Sequence, residues 1–296
     1  MNRTKWMVPA VIAAMLALAA APLAAQTPID ETRPLDTNGT LFVSNVSGSV
    51  TVTGWGGGEV QITGTLGKGA EELRITGDTS RLDVEVKLPK HSKNVRETHL
   101  EINVPAGCRL IVDTVSADIE VSGMIGDIEF ESVSGDIQAA CGAGDVEIST
   151  VSGQIRLECQ STSTDVQTVS GDARLTGISE RLSSESVSGD FIVSGGIFSD
   201  IHAETVSGDL QFDIGLEGNA RVEIEAHSGD VVFLLDDLSI HCSVETFSGS
   251  ITNEFGWEGV SDKYSKGTVH WEAPAGSGSG KLDIETFSGD VMLKRK

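Results

Sequence analysis

From residue 38 onward the apolar positions of this chain alternate with polar ones in short runs, and the runs repeat. Nine times between residues 116 and 288 a Ser is followed by Gly (once Ala) and usually Asp: Ser116, Ser134, Ser152, Ser170, Ser188, Ser207, Ser228, Ser248 and Ser288. The first five lie 18 residues apart, the next intervals are 19, 21 and 20, and the last is 40, which is two periods or one period with an insertion. An apolar residue stands just before each Ser except Ser228. Three and five residues after the Ser come apolar pairs such as Ile119/Val121, Ile137/Ala139, Ile155/Leu157, Phe191/Val193 and Val291/Leu293. Six and four residues before it come Leu110/Val112, Ile128/Phe130, Val146/Ile148 and Leu282/Ile284. Period two predicts strands with one face inward. Each repeat therefore holds two short strands and two bends, with Ser-Gly-Asp at one corner and Gly123, Gly142, Gly177 or Gly195 at the other.

A unit of this size buries its apolar face only by stacking on copies of itself, which predicts an all-β, single-domain β-solenoid of the β-helix type with coils of about 18–20 residues. A hexapeptide left-handed helix would place the Ser column, and the column six residues beyond it (Ser122, Ala140, Glu158, Thr176, Ser194), inside. Those columns are polar or small, so that form is rejected and a right-handed coil is expected. The expected boundaries are a signal peptide at 1–25, a linker at 26–37 with Pro28 and Pro34, and the solenoid at 38–296. Within the solenoid, 38–113 are irregular first coils, 114–253 regular repeats, 254–280 an insertion and 281–296 the last coil. Lys294, Arg295 and Lys296 are expected to protect an exposed final edge.

The leader has Arg3 and Lys5, an apolar run from Met7 to Leu23 and small residues at Ala24 and Ala25, the order of a secretory signal. No later apolar stretch approaches spanning length, so a secreted or periplasmic protein without an integral membrane span is expected. The chain carries 44 acidic and 21 basic residues, a net charge of −23 that becomes −25 when Arg3 and Lys5 leave. Such an excess repels nucleic acid and anionic lipid, and excludes both as partners.

Candidate chemistry is sparse. The Asp column (Asp118, Asp136, Asp172, Asp190, Asp209, Asp230, Asp290) would stack carboxylates about 4.8 Å apart, a repulsion of roughly 0.9 kcal/mol per neighbour in water. Each Asp bonding the backbone of its own turn is favoured over calcium shared between coils, because Gln154 interrupts the column. The Ser column and the hydroxyls two residues before it repeat identically, whereas the six His occupy unrelated phases, so neither a hydrolytic nucleophile nor a zinc site is expected. No cofactor and no catalytic residue is assigned. Cys141 and Cys159 lie 18 apart in equivalent positions of adjacent repeats and are expected to form a disulfide, leaving Cys108 and Cys242 free. Trp257, Tyr264 and Trp271, with the only Tyr and two of the three Trp outside the leader, form a candidate contact for a polysaccharide or protein in the insertion. Lys87, Lys90, His91, Lys93, Arg96 and His99 form the one basic stretch and are expected to be solvated.

The run Val46-Ser47-Gly48-Ser49-Val50-Thr51-Val52 followed by Trp55 and Glu59-Val60 is distinctive. So are Val104-Pro105-Ala106-Gly107 before Leu110, the Ser-Gly-Asp copies, and the Gly276 to Gly280 loop before the last strands. Together they resemble the bacterial extracytoplasmic domain of unknown function 4097, a family labelled "putative adhesin". The resemblance covers nearly all of the chain after the leader and implies the same solenoid fold, but it carries no catalytic residues. The expected function is a non-catalytic binding, adhesin-like or envelope-associated scaffold whose partner is a cell-envelope component, a polysaccharide or a protein. A polysaccharide-degrading enzyme is the alternative, disfavoured because a uniform Asp ladder singles out no carboxylate pair.

Overall fold

The computed structural model describes residues 27–89, 96–142, 144–256, 260–264, 268–273 and 278–296; the leader lies outside them. The described chain is all-β, in 23 strands. Its centre is a parallel solenoid-like sheet in which each strand pairs with its equivalent one repeat away. Asp145–Ser152 lies between Ile128–Ser132 and Ser163–Ser170, with Ile148 opposite both Phe130 and Val166. Ile155–Cys159 lies between Ile137–Cys141 and Ala173–Thr176. Two strand stacks thus rise side by side. Their inward residues, such as Phe130, Ile137, Ile148, Leu157 and Phe191, are almost wholly buried in one continuous core. Later in the stack the Phe212 and Phe233 rings lie 4.7 Å apart. The Ser column and the column six beyond it are turned outward, as two strands per coil require and a hexapeptide helix forbids.

The Ser-Gly-Asp corner is tight because one coil rests directly on the next. A Cβ on Gly171 would lie 2.1 Å from the Gly153 carbonyl oxygen, and one on Gly189 would lie 2.2 Å from that of Gly171. Gly189 also has φ +147°, so space and backbone angle both select glycine there.

Spatial order departs from chain order at both ends. Thr40–Trp55 stacks on Arg109–Ser122, and on its other side lies a coil made by Arg81–Lys87 and Thr98–Pro105. That outer coil is finished by antiparallel strands: Glu72–Gly77 on Arg81–Lys87, then Glu59–Leu66 on Thr98–Pro105, then Thr27–Pro34 on Glu59–Leu66. The expected linker at 26–37 is therefore corrected, since Thr27–Pro34 is a strand and Ile29 and Leu35 join the core. Pro28 and Pro34 misled because they are compatible with an edge strand, where a missing N–H costs no ladder bond.

At the other end Lys281–Ser288 enters between Leu210–Ser228 and His241–Ser248. Val291–Arg295 likewise enters between Val231–Leu235 and Ile251–Asn253. The last coil of the sequence is thus the penultimate coil in space, and the expected edge-protecting role of the terminal cations is corrected. Lys296 instead pairs with Asp213 at 2.8 Å, and the Arg295 guanidinium lies 5.4 Å from the centre of the Phe255 ring. The 40-residue interval contains Val260–Tyr264 and Thr268–Ala273, antiparallel to each other, the second of them closing the free side of His241–Ser248. Both ends therefore turn from parallel to antiparallel pairing.

Ile155→Asp puts an unpaired charge into the core, and we expect it to lower unfolding stability by at least about 4 kcal/mol. Arg156→Gln, on the outward neighbour, should change it by no more than about 0.5 kcal/mol. Equal shifts in denaturant midpoint would contradict the inward assignment. Deleting residues 281–296 should remove amide-exchange protection from both Val231–Leu235 and Ile251–Asn253, whereas loss on one side only would contradict the inserted coil.

Candidate functional site

The residue before each Ser lies in outward phase, yet it is apolar. Val115, Val133, Val151, Val169, Val187 and Val206 form a row along the solenoid, each about half exposed. The row continues through His227, Phe287 and Phe247 in the order set by the inserted coil. The Phe287 ring stacks on His227 and on Phe247, with centroid separations of 4.9 Å in both cases. Two positions earlier along each strand stands a second outward row: Asp113, Glu131, Ser149, Gln167, Glu185, Glu204, Glu225, Glu285 and Glu245. Between the rows runs a groove of about 940 Å³ that extends over nine coils, with neither Lys nor Arg among the residues lining it.

A row of buried hydroxyls lies beneath the groove. Thr114 Oγ1 donates to the Ala117 carbonyl (3.2 Å) and lies 3.1 Å from Ser132 Oγ, which accepts the Gly135 N–H at 3.0 Å. These side chains are buried under the Ser-Gly-Asp turn. In the coils that follow, the hydroxyls of Thr150, Thr168, Ser186 and Thr205 are buried without a hydrogen-bond partner. The Ser of the turn ties adjacent coils: Ser134 Oγ donates to the Val115 carbonyl at 3.2 Å and Ser152 Oγ to that of Val133 at 3.3 Å. The hydroxyls that are hydrogen-bonded serve the backbone, and none of these bonds involves a His.

The Asp column works between coils, which corrects the expectation that each carboxylate serves its own turn. Asp118 Oδ1 accepts the Asp136 N–H (3.0 Å), Asp136 that of Gln154 (2.9 Å), Asp172 that of Asp190 (3.1 Å) and Asp190 that of Asp209 (3.0 Å). The sequence continues from Asp230 to Asp290 and from Asp290 to Ser250, following the spatial order of the coils. Each bond offsets the repulsion between neighbouring carboxylates by aiming an oxygen at a peptide N–H. Among the described residues no group of three His, Cys, Asp or Glu is placed to hold a metal ion.

Cys141 and Cys159 occupy paired positions of adjacent coils and are joined as a disulfide with a Cα–Cα distance of 4.5 Å. Cys108 and Cys242 are free and buried, several coils apart. Burial pushes their thiols up to about 11 and about 12, so both stay protonated and unreactive near neutral pH. Of the candidate aromatic contacts, Trp257 lies outside the described residues. Tyr264 stands opposite Thr268, and Trp271 opposite Val244 and Ser261, in the antiparallel end strands, the second of which borders His241–Ser248, the last strand of the groove. Of the basic stretch, Lys90, His91 and Lys93 lie outside the described residues, Lys87 pairs with Glu85, and Ser49 Oγ lies 2.9 Å from His99 Nδ1.

The family model for the Toastrack DUF4097 domain matches residues 47–294. The chain belongs to that family. Among solved structures, a "putative adhesin" from Bacteroides fragilis is 14% identical, with 91% of this chain and 98% of that one covered and a TM-score of 0.47. A "putative lipid binding protein" from Parabacteroides distasonis is 9% identical, with 90% and 96% covered and a TM-score of 0.49. Comparison with curated proteins gives no match. Among the described residues of this Toastrack chain no helix is long and apolar enough to cross a membrane.

The groove was missed in the sequence although its signal was present. The valines stand one residue out of phase with the inward positions, and an apolar residue in the wrong phase of a strand marks a surface rather than a core. For the Asp ladder, Asp190→Ala should lower stability by about 1 kcal/mol through loss of the acceptor for Asp209 N–H. Asp190→Asn, which keeps an oxygen there, should be within about 0.5 kcal/mol of wild type. Equal losses in chemical denaturation would show that the charge, and not the acceptor, is what the turn uses.

Proposed function

We propose that this Toastrack chain is a secreted or periplasmic, non-catalytic scaffold, adhesin-like or envelope-associated, that binds its partner along the solenoid. On this reading residues 1–25 are removed as a signal peptide and the coils wind right-handedly. The observation that carries it is the groove, which sets an apolar row beside a mostly acidic one along nine coils. An active site needs a few groups made different from their neighbours, with a base or a carboxylate pair at a defined separation. A surface that repeats suits an elongated partner, since each coil adds a similar increment of contact. Tyr264 and Trp271, in the antiparallel end strands, are proposed together with Trp257 as a second contact.

Co-sedimentation of the mature chain with a bacterial envelope fraction tests this. We expect the wild type to sediment, and a Val151→Ser/Val169→Ser/Val187→Ser variant with an unchanged circular dichroism spectrum to lose at least about ten-fold in affinity, as truncation of central apolar contacts does. A Trp257→Ala/Tyr264→Ala/Trp271→Ala variant should show a smaller loss. Failure of the wild type to sediment, or release of reducing sugar ends by the wild type, would contradict the scaffold.

A further inference from the structure

We infer that the groove docks an amphipathic, basic α-helix of a partner polypeptide, laid along the solenoid axis; this rests on the scaffold reading above. Three observations point to that occupant. The first is charge: of the nine places on one side of the valine row seven are carboxylates, with Ser149 and Gln167 the exceptions, and the groove lining contains neither Lys nor Arg. Glu204 lies 2.9 Å from His202 Nε2 on its own strand. An apolar row bordered by carboxylates is complementary to apolar residues bordered by Lys or Arg, and it disfavours anionic lipid and anionic polymers.

The second observation is pitch. Neighbouring coils, and so neighbouring valines, are separated by about 4.8 Å. A helix presents one apolar residue per turn of about 5.4 Å, a mismatch of roughly 0.6 Å per coil, which keeps it in step over four or five coils at a time and costs it about one coil over all nine. An extended peptide repeats a face every ~6.8 Å, about 2 Å out of step at each coil. The third is the backbone under the groove, whose strands are already paired on both sides in the parallel ladder. An added strand would find no free main-chain groups there, which removes the usual gain of extended-peptide binding. Nine coils span about 38 Å, the length of a helix of roughly 25 residues.

The probe is a synthetic Leu/Lys peptide of about 25 residues with its leucines in one helical stripe. A peptide of the same composition with the stripe scrambled, a Leu/Glu analogue and neutral phosphatidylcholine vesicles serve as comparisons. Fluorescence anisotropy should show the striped peptide binding at least about ten-fold more tightly than the scrambled one, with a gain of helical circular dichroism on binding. Val151→Ser/Val169→Ser/Val187→Ser should weaken it about ten-fold, and Glu185→Gln/Glu204→Gln/Glu225→Gln should weaken it and flatten its salt dependence. Equal binding of striped and scrambled peptides, or indifference to the valine substitutions, would overturn the inference, as would vesicle binding that depends on the valines while the peptide fails to bind. If envelope attachment requires the valine row but the striped peptide does not bind, the scaffold stands and the helical occupant is wrong. If envelope attachment is absent altogether, the scaffold itself falls.

Discussion

Direct stacking of one coil on the next, in unbroken register, is the constraint on which the rest of this structure depends. The 18-residue offset that sets Ile155 over Ile137 also sets Ser152 near Val133 and aims Asp136 at the Gln154 N–H. A residue type repeated at the period thereby becomes a row in space. An inward row is core, a row at the turn is a chain of hydrogen bonds, and an outward row is a surface with one chemical character. The glycine at every turn after the first, where Ala117 stands, is a condition of that contact, because the carbonyl of the neighbouring coil occupies the place of a side chain.

A stack of parallel strands has two open ends, and this chain closes both by leaving sequence order. At the start, Thr40–Trp55 becomes an inner coil while later residues pass outside it and turn antiparallel. At the finish, Lys281–Arg295 enters between coils already laid down. Antiparallel finishing strands interrupt the repeating template that a bare parallel end would offer to another chain. The inserted coil also serves the groove, because it brings Phe287 between His227 and Phe247 and so continues the apolar row without a gap.

The regular coils were legible in the sequence because columns such as Ile119, Ile137 and Ile155 repeat at a constant interval with period-two alternation inside each run. The crossing at each end was not, since pairing between strands 60 residues apart, as for Asp230 and Asp290, leaves no mark in local spacing. Thr27–Pro34 was hidden by its two prolines, which read as linker until an edge position is known. Of the candidate site, the acidic and apolar rows were both written in the repeat. The phase of Val133 and Val151, one residue off the inward positions, already placed them outside. The Asp ladder was recognised as a row, but which peptide each carboxylate faces depends on the twist of one coil against the next, and spacing does not encode that.

Engineered disulfides read the coil order most directly. Glu225 lies opposite Glu285, and Glu285 opposite Glu245, in the parallel ladder. Neighbouring parallel strands bring Cα atoms within disulfide reach, whereas positions two strands apart, at about 9.6 Å, are beyond it. In mildly oxidised protein carrying Glu225→Cys with Glu285→Cys, or Glu285→Cys with Glu245→Cys, mass spectrometry of non-reduced peptides should find the new bond, and Glu225→Cys with Glu245→Cys should give none. A bond between positions 225 and 245, with none to 285, would place the coils in chain order and contradict both the inserted coil and the continuous groove built on it.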